Sequence, residues 1–371
     1  MKKKIILIVP SNHPTYKFIH NGLLKNLNNS FEILKFTSDE LIDIEKDIYK
    51  RIKPYFVFSI NRNRSIYLSK SIPHISWLMD NIFKNKEIKI SHDLTNQRDI
   101  FFAINNNLKR NLKVNKMHIL HPPANVIKKE MQLKKTKSSI ISLVGYIPSK
   151  NIFQSDLANN YLNFLEDHFF NIDYYPLENI NEIVDDFFSD QSLILKMKYM
   201  YKKKFDKSNA VINYLSINGF FKDEAIRAFL RAKAARKALE THFKTEIYGP
   251  ECWKTWPEFK KYYRCELKSH SSCVSLYRRS LFNIHNGGTI IHPRVIDIMG
   301  SNGGILITSK MPHEDDSPFV IGEHYFDFSN PLELSDLSIN KINKIRKQAL
   351  DIVLENFSWK IFINKILSSI R

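Results

Sequence analysis

The chain has 371 residues, of which 43% are hydrophobic and 25% are charged, and its formal net charge is +18. This length exceeds what one typical hydrophobic core organises and fits two domains of ordinary size. The positive charge favours anionic partners, such as phosphates, acidic lipids or nucleic acid. Because the charge is spread along the chain, a generally basic surface is the simpler explanation for it.

Several classes of protein are excluded by the same composition. No segment reaches the roughly 18 uninterrupted apolar residues of a membrane span, and the first apolar run ends at Pro10, too soon for a signal peptide. The three cysteines, Cys252, Cys265 and Cys273, offer neither a disulfide framework nor zinc-ligand spacing. A reducing cytoplasm is therefore the expected location, with a peripheral position at the inner membrane face as an alternative.

The first third of the chain alternates short apolar runs with amphipathic stretches. Strands are predicted at 5–9, 31–36, 55–60, 74–78, 100–104 and 117–120, and helices at 18–27 and 41–52. Strands that alternate with helices indicate a parallel sheet covered on both faces. This order stops at the two prolines of segment 121–126, and the polar, lysine-rich stretch 128–139 is interpreted as a linker.

A second α/β region follows the linker. Its first strand is predicted at 140–144, directly before Gly145, and its next strand at 246–248 comes only after a long gap. Helical patterns fill that gap at 157–169, 181–188, 193–205 and 223–243. Because the gap is too long for one crossover helix, it is interpreted as a helical insertion.

Segment 276–309, LYRRSLFNIHNGGTIIHPRVIDIMGSNGGILITS, is the most informative part of the chain. It contains five of the ten glycines: Gly287, Gly288, Gly300, Gly303 and Gly304. The pattern predicts a strand at 281–285, a glycine loop, a helix at 293–300, a glycine turn and a strand at 304–308. Such a loop, with a helix amino terminus behind it, binds phosphorylated ligands at the carboxyl edge of parallel sheets. An ordinary βαβ unit is the alternative.

Polar residues in this segment suit a nucleoside diphosphate. Backbone amides at Gly287, Gly288 and Thr289 can converge on an anion. Guanidinium groups that suit phosphate are supplied by Arg278, Arg279 and Arg294. Asp297, one helical turn after Arg294, can accept hydrogen bonds from ribose hydroxyls. The alternatives are solvated arginines and a surface ion pair between Arg294 and Asp297.

The segment resembles the C-terminal signature of glycosyltransferases of the GT-B fold, especially the group related to the spore-maturation protein CgeB. Other pieces stand in the order of that family. SLVGYIPSK at 142–150 and EIYGPECW at 246–253 are similar to its first two C-domain strands with their glycine turns. FSWKIFINKIL at 357–367 is similar to its closing helix, and ISWLMDN at 75–81 to an N-domain strand end.

The resemblance implies an α/β fold in which two Rossmann-like domains face each other across a cleft. Residues 1–135 would form the N-terminal acceptor domain, against which the C-terminal helix, 357–371, packs back. Residues 138–356 would form the C-terminal domain for the nucleotide-sugar donor, with the helical insertion at about 151–243. The implied activity is sugar transfer from a nucleotide-sugar co-substrate, without a metal or other cofactor.

The resemblance also implies a set of site residues. The donor nucleotide would contact Gly145, Lys150, Tyr248, Gly249, Arg278, Asn286, Gly287, Gly288, Thr289, Arg294 and Asp297. Asp297 stands where the family usually has a ribose-binding glutamate. The Glu-x7-Glu pattern of many retaining members is not clearly present, so the stereochemical course stays open.

Two residues are candidates for a catalytic base, which an inverting transferase requires beside the acceptor hydroxyl. His13 and Asp80 each follow a predicted N-domain strand and would face the cleft. A turn histidine bonded to backbone, and a helix-capping aspartate, are the simpler interpretations. The acidic run 313–316 is either a contact to the donor sugar or a metal, or an exposed loop.

Two other functions remain open. Aromatic and basic residues mix at 196–205 and 259–265, as in proteins that bind single-stranded nucleic acid. A catalytically silent GT-B scaffold is the second alternative. For a transferase, the expected acceptor is a glycan, a lipid-linked glycan or a protein, as in bacterial cell-surface glycan synthesis. An anionic membrane is a further candidate partner, and nucleic acid is the disfavoured one.

Overall fold

A computed structural model describes the protein in residues 2–10, 14–42, 44–79, 98–112, 117–127, 129, 133–136, 139–153, 156–169, 225–287, 289–308 and 317–370. The described chain contains two parallel sheets, one of six strands and one of four. Each sheet carries helices and has its own cluster of buried apolar side chains.

The first sheet lies in the N-terminal third. Its strands are β1 (Lys3–Val9), β2 (Phe31–Thr37), β3 (Phe56–Ile60), β4 (His74–Leu78), β5 (Asp99–Ala103) and β6 (Met117–Ile119), in the spatial order β2-β1-β3-β4-β5-β6. The helices are α1 (Pro14–Leu27), α2 (Ser38–Ile42), α3 (Glu45–Arg51) and α4 (Asn106–Leu112). Strands β3 and β4 are buried at every residue, as expected for a parallel sheet covered on both faces.

The second sheet consists of β7 (Ile140–Val144), β8 (Lys244–Tyr248), β9 (Phe282–Ile284) and β10 (Ile305–Ile307), in the order β10-β9-β7-β8. Its helices are α5 (Asp156–Phe169), α6 (Ile226–Glu240), α7 (His270–Arg279), α8 (Pro293–Gly300), α9 (Glu333–Asp336) and α10 (Ile339–Asn356), and α11 (Trp359–Ser369) ends the chain. Alanines along α6 are buried in the core of this unit, so the helix approaches its neighbours closely.

Both sheets are doubly wound. The first strand of each unit, β1 or β7, lies between the second and third strands of that unit, and all pairings are parallel. In such sheets the connections leave in opposite directions on either side of the first strand, which opens a crevice at the carboxyl ends of the strands. The predicted fold class, α/β with two Rossmann-like units, is confirmed.

The predicted strands match the structure closely at 74–78 and 140–144, and the others differ by one or two residues at an end. The helix predicted at 41–52 is two helices, α2 and α3. Of the predicted insertion, α5 and α6 are described, whereas the helices predicted at 181–188 and 193–205 lie outside the described residues. The predicted domain boundaries stay predictions.

Contacts between the two units join their carboxyl edges. Nδ2 of Asn105, after β5, donates a hydrogen bond to Oγ1 of Thr289, after β9, at 3.0 Å. The ring of Phe18, near the start of α1, stacks on that of His270, the first residue of α7. Because all four residues follow carboxyl ends of strands, the carboxyl edges of the two sheets face each other.

The last helix returns to the first unit. Phe362, Ile363 and Ile366 of α11 belong to the same buried cluster as Ile19 of α1 and Trp77 of β4. Ser358 caps the helix, because its side chain accepts a hydrogen bond from the backbone amide of Ile361. The chain therefore ends on the unit in which it began.

The contact between α1 and α11 gives a stability prediction. Helix propensity alone would make Gly22→Ala stabilising by about 1 kcal/mol. However, a Cβ at Gly22 would overlap the Trp359 ring, so we expect a loss of about 1–3 kcal/mol through overpacking. Denaturant unfolding measures the difference. Asn21→Ala, at the exposed neighbouring position, is the control, and Trp359→Leu should restore the stability of Gly22→Ala. A stabilised Gly22→Ala protein would contradict this packing.

Candidate functional site

The candidate site lies at the carboxyl edge of the second sheet, where β7 and β9 are neighbours. Strand β7 ends before Gly145, and β9 ends before the loop 285–289. Arg231 reaches this point from α6, and its guanidinium donates a hydrogen bond to the backbone oxygen of Tyr146. A Cβ at Gly145 would overlap that guanidinium. Glycine at 145 thus allows a cationic group to lie against the end of β7.

The loop after β9 is closed by a buried histidine. His285 is only 2% exposed, and its Nε2 lies 3.1 Å from the backbone oxygen of Thr289. A Cβ at Gly287 would lie 2.7 Å from the same nitrogen, so any larger residue would displace the ring. Gly288 lies outside the described residues. The described residues of the loop are therefore packed closely around an imidazole.

Helix α8 begins directly behind this loop. Nδ1 of His292 accepts a hydrogen bond from the backbone amide of Arg294 at 3.1 Å, and Pro293 occupies the first helical position. Proline suits that position because its fixed φ matches the helix and its missing amide would have no partner there. The helix amino terminus, with its partial positive charge, thus points to the same edge as the loop.

Electrostatics favour an anion at this edge. Burial, together with the charges of Arg294 and Arg231, lowers the pKa of His292 to about 3. The pKa of His285 is also lowered, by burial first and then by His292 and the two arginines. The imidazoles are therefore neutral near pH 7, while both guanidinium groups stay charged. An anion here meets two cations and a helix amino terminus.

Asp297 lies one turn into α8 and is 8% exposed. Its Oδ2 is 2.9 Å from Nε2 of His270, but the ring N–H is not aligned with the oxygen, so the contact is electrostatic. Burial raises the pKa of Asp297, and the nearby His270 and Arg294 oppose that rise. The carboxyl group thus faces the start of α7 at the carboxyl edge.

Other predicted donor residues adjoin Gly145. Gly249, after β8, packs so closely that a Cβ there would overlap the backbone oxygen of Gly145. The amide of Lys150 donates to Oγ1 of Thr255 at 2.8 Å, and its Nζ lies 5.2 Å from the Trp256 ring centroid. These residues line the carboxyl ends of β7 and β8. Asn286 is half-buried within the loop itself.

Two predicted residues are held elsewhere. The Tyr248 phenol donates to Glu246 at 2.7 Å and accepts from Arg279 at 2.6 Å. Arg278 lies at the amino edge of the sheet, where it donates to the backbone oxygens of Lys129 and Ser301 at 3.0 and 3.4 Å. Because α7 ends just before β9 begins, Arg278 lies at the opposite edge from Gly287. We leave Tyr248 and Arg278 out of the site proposed below.

The structure does not describe the candidates for acid–base chemistry. His13, Asp80 and the acidic run 313–316 lie outside the described residues, so their roles stay predictions. Arg231, in contrast, is a site residue that the sequence reasoning missed. Its helix is rich in arginine and lysine, and no spacing singles this arginine out.

The aromatic rings of the mixed aromatic and basic segment 259–265 take part in the packing of the second unit. Phe259 is fully buried, and Tyr262 and Tyr263 pack against the core of the second unit. The Tyr263 phenol donates to the backbone oxygen of Gly249 at 3.1 Å. These aromatic rings stabilise the fold, which removes one of the two observations behind a nucleic-acid-binding function. The other, segment 196–205, lies outside the described residues.

Two further observations concern the surroundings of the protein. All three cysteines are free. Across the part of the chain that the structure describes, we find no helix with the length and apolarity that a membrane crossing requires.

Comparisons with known proteins find similarity only in structure. No protein-family model and no curated protein matches the chain. TarM of S. aureus has a TM-score of 0.45 at 10% identity, with 88% of this chain and 57% of TarM covered. The glycotransferase of kitacinnamycin has a TM-score of 0.41 at 8% identity, covering 99% of both chains. The UDP-forming α,α-trehalose-phosphate synthase of Burkholderia xenovorans has a TM-score of 0.48 at 8% identity, covering 100% of this chain and 99% of the synthase.

The chain thus spans little more than half of the length of TarM. TM-scores below 0.5 at such low identity do not indicate a shared activity. The fold is assigned from the topology of the two sheets and the contacts between them. Two doubly wound parallel units with facing carboxyl edges have the GT-B architecture. The function has to be inferred from the site.

Proposed function

We propose that the protein is a glycosyltransferase that takes a sugar from a nucleotide-sugar bound at the carboxyl edge of the second sheet. The observation that carries the proposal is the position of Arg231 against Gly145, beside the loop 285–289 and the start of α8. A crevice at this point of a doubly wound sheet is where nucleotides bind. Two guanidinium groups and a helix amino terminus suit the diphosphate.

In this proposal the diphosphate and the ribose of the donor each have partners. The diphosphate lies between Arg231, Arg294 and the backbone amides of Gly287 and Thr289, and Asp297 accepts from the ribose hydroxyls. Gly145, Gly249 and Lys150 line the adjoining strand ends. When the bond between sugar and diphosphate breaks, the leaving group gains negative charge. Fixed cations and amide dipoles stabilise that charge most as it develops, and this lowers the barrier. No metal is assigned to this role.

The acceptor would enter from the first unit, because its carboxyl edge faces the donor edge. A glycan, a lipid-linked glycan or a protein hydroxyl would then attack the anomeric carbon, and the nucleoside diphosphate would leave. In an inverting course, His13 or Asp80 would take the hydroxyl proton. We place the reaction in the cytoplasm, since three free cysteines suit a reducing compartment. Association with an anionic membrane remains part of the proposal only for a lipid-linked acceptor.

Ligand-dependent thermal stability tests the proposal. The full chain is heated with UDP, GDP, CMP or dTDP, and in parallel with single-stranded DNA or RNA at physiological salt. We expect stabilisation by at least one nucleotide, because a ligand that binds only the folded state raises the melting temperature. Stabilisation only by nucleic acid would overturn the proposal. Hydrolysis of, or transfer from, the matching nucleotide-sugar would then separate an active transferase from a silent scaffold.

A further inference from the structure

Three helices begin where the two units meet. Helix α1 comes from the first unit, and α7 and α8 come from the second, and each starts after the carboxyl end of a strand. Phe18 lies near the start of α1, His270 is the first residue of α7, and Asp297 lies one turn into α8. The His270 side chain touches both of the others, so it connects the donor edge with the first unit.

The two contacts of His270 are of different kinds. One ring face is stacked on Phe18, with centroids 3.9 Å apart and an angle of 14° between the planes. At the ring edge, Nε2 lies 2.9 Å from Oδ2 of Asp297 and is shielded from solvent, without an aligned hydrogen bond. A buried ring nitrogen facing a carboxylate can form a good hydrogen bond after a small rotation of either group.

We propose that His270 is a positioning residue that holds the Asp297 carboxylate for the donor's ribose, and that Phe18 of the first unit holds the His270 ring in place. The inference rests on the proposed function, because it assumes a ribonucleotide at this edge. It adds that the acceptor unit takes part in recognising the donor.

The chemistry of Asp297 explains why such a partner is needed. Burial alone favours the neutral acid and raises the pKa of this group, and the nearby His270 opposes that effect. A ribose hydroxyl donates a stronger hydrogen bond to an ionised carboxylate than to a neutral acid. With Oδ2 facing His270, Oδ1 is left to accept from the ribose. Once the hydrogen bond between His270 and Asp297 forms, the imidazole favours the ionised carboxylate and sets its direction.

Calorimetric titration of the full chain with paired nucleotides tests the inference. The probes are UDP and GDP beside their 2′-deoxy counterparts, so that only one ribose hydroxyl differs. In the wild type we expect the ribonucleotide to bind at least about tenfold more tightly, as for a hydrogen bond to a charged group. Asp297→Asn should lose this preference for the ribonucleotide, and the size of its loss is the reference for the other variants.

Three variants then separate positioning from a general structural role. His270→Phe keeps a ring on Phe18 but removes the nitrogen, and it should lose most of the ribose preference while binding the 2′-deoxy nucleotide as the wild type does. His270→Gln restores an N–H and should recover part of the preference. Phe18→Ala, in the other unit, should weaken the preference several-fold, whereas Lys17→Ala, exposed on the same helix, should not.

The outcomes distinguish the two proposals. If the wild type binds none of UDP, GDP, CMP and dTDP, the proposed function fails, and if it binds only dTDP, which has no 2′ hydroxyl, the inference fails. If it binds them without preferring ribose, or if His270→Phe keeps the preference, the inference fails and the function stands. A His270→Phe protein that loses affinity for both members of a pair equally also overturns the inference, because that is the result of structural damage.

Discussion

Replacing Arg231 with alanine should lower donor affinity and the rate of sugar transfer together by about 100-fold or more, the typical effect of removing one preorganised charge-stabilising group. The guanidinium lies against Gly145 at the end of β7, where the backbone oxygen of Tyr146 holds it in place. Its charge therefore needs no rearrangement when the leaving diphosphate forms. Titration with UDP or GDP, and initial rates with the matching nucleotide-sugar, measure the two effects.

Companion variants sharpen this prediction. Arg231→Lys keeps the charge but loses the planar fork, so we expect about a tenfold loss. Gly145→Ala adds a Cβ that would displace the guanidinium, and it should resemble Arg231→Ala. The matched control is Arg236→Ala on the same helix, since Arg236 pairs with Glu166 and Glu258 at the surface, where such pairs contribute about 1 kcal/mol or less.

Unchanged nucleotide affinity in a folded Arg231→Ala protein would contradict this assignment. It would mean that the diphosphate does not lie at the junction of β7 and β9. The same result for Gly145→Ala would point to a ligand bound farther from the first strand of the second unit.

The fold class was predictable because its signals are local. Buried parallel strands are continuous apolar runs, and β4 and β7 were located at their observed bounds from such runs alone. The order of strands in each sheet was not predictable, because it depends on which long-range pairs pack best. Helix α10 was also missed, since its amphipathic pattern lies among lysines that resemble any solvated stretch.

The candidate site was predictable only in part, for the same physical reason. The glycine loop and the start of α8 are contiguous in sequence, so their pattern indicated an anion site. Arg231 is 85 positions from its partner Tyr146, and only the packing of α6 on the sheet brings the two together. Arg278 and Arg294 were equivalent candidates in the sequence. They lie at opposite edges because one ends a helix and the other begins one.

The glycines of segment 276–309 divide into two groups in the same way. Gly303 and Gly304 lie at the amino edge, where their backbone packs closely against the end of α7 and the turn between α7 and β9. The backbone oxygens of Ser280 and Leu281 leave no room for a Cβ at Gly304. In contrast, Gly287 lies at the carboxyl edge, beside His285. Gly303 and Gly304 therefore allow close backbone packing, whereas Gly287 belongs to the proposed ligand site.

Gly304→Ala should consequently destabilise the protein by at least about 3 kcal/mol, because backbone atoms cannot move aside as a flexible side chain can. Thermal unfolding should show a melting temperature lowered by at least about 4 °C, with nucleotide affinity little changed while the protein is folded. Gly300→Ala is the control, since its Cβ would meet the Ala124 methyl group at 3.3 Å, a tight contact that a shift of a few tenths of an ångström relieves, so it should destabilise the protein less.

Gly287→Ala should show the reverse pattern. Its Cβ would displace the His285 ring that closes the loop, so we expect weaker nucleotide binding with a smaller change in melting temperature. If Gly304→Ala instead melts like the wild type and loses nucleotide binding, both ends of the segment belong to the ligand site. The division would then be wrong, because Gly304 would have a role that its contacts with Ser280 and Leu281 do not explain.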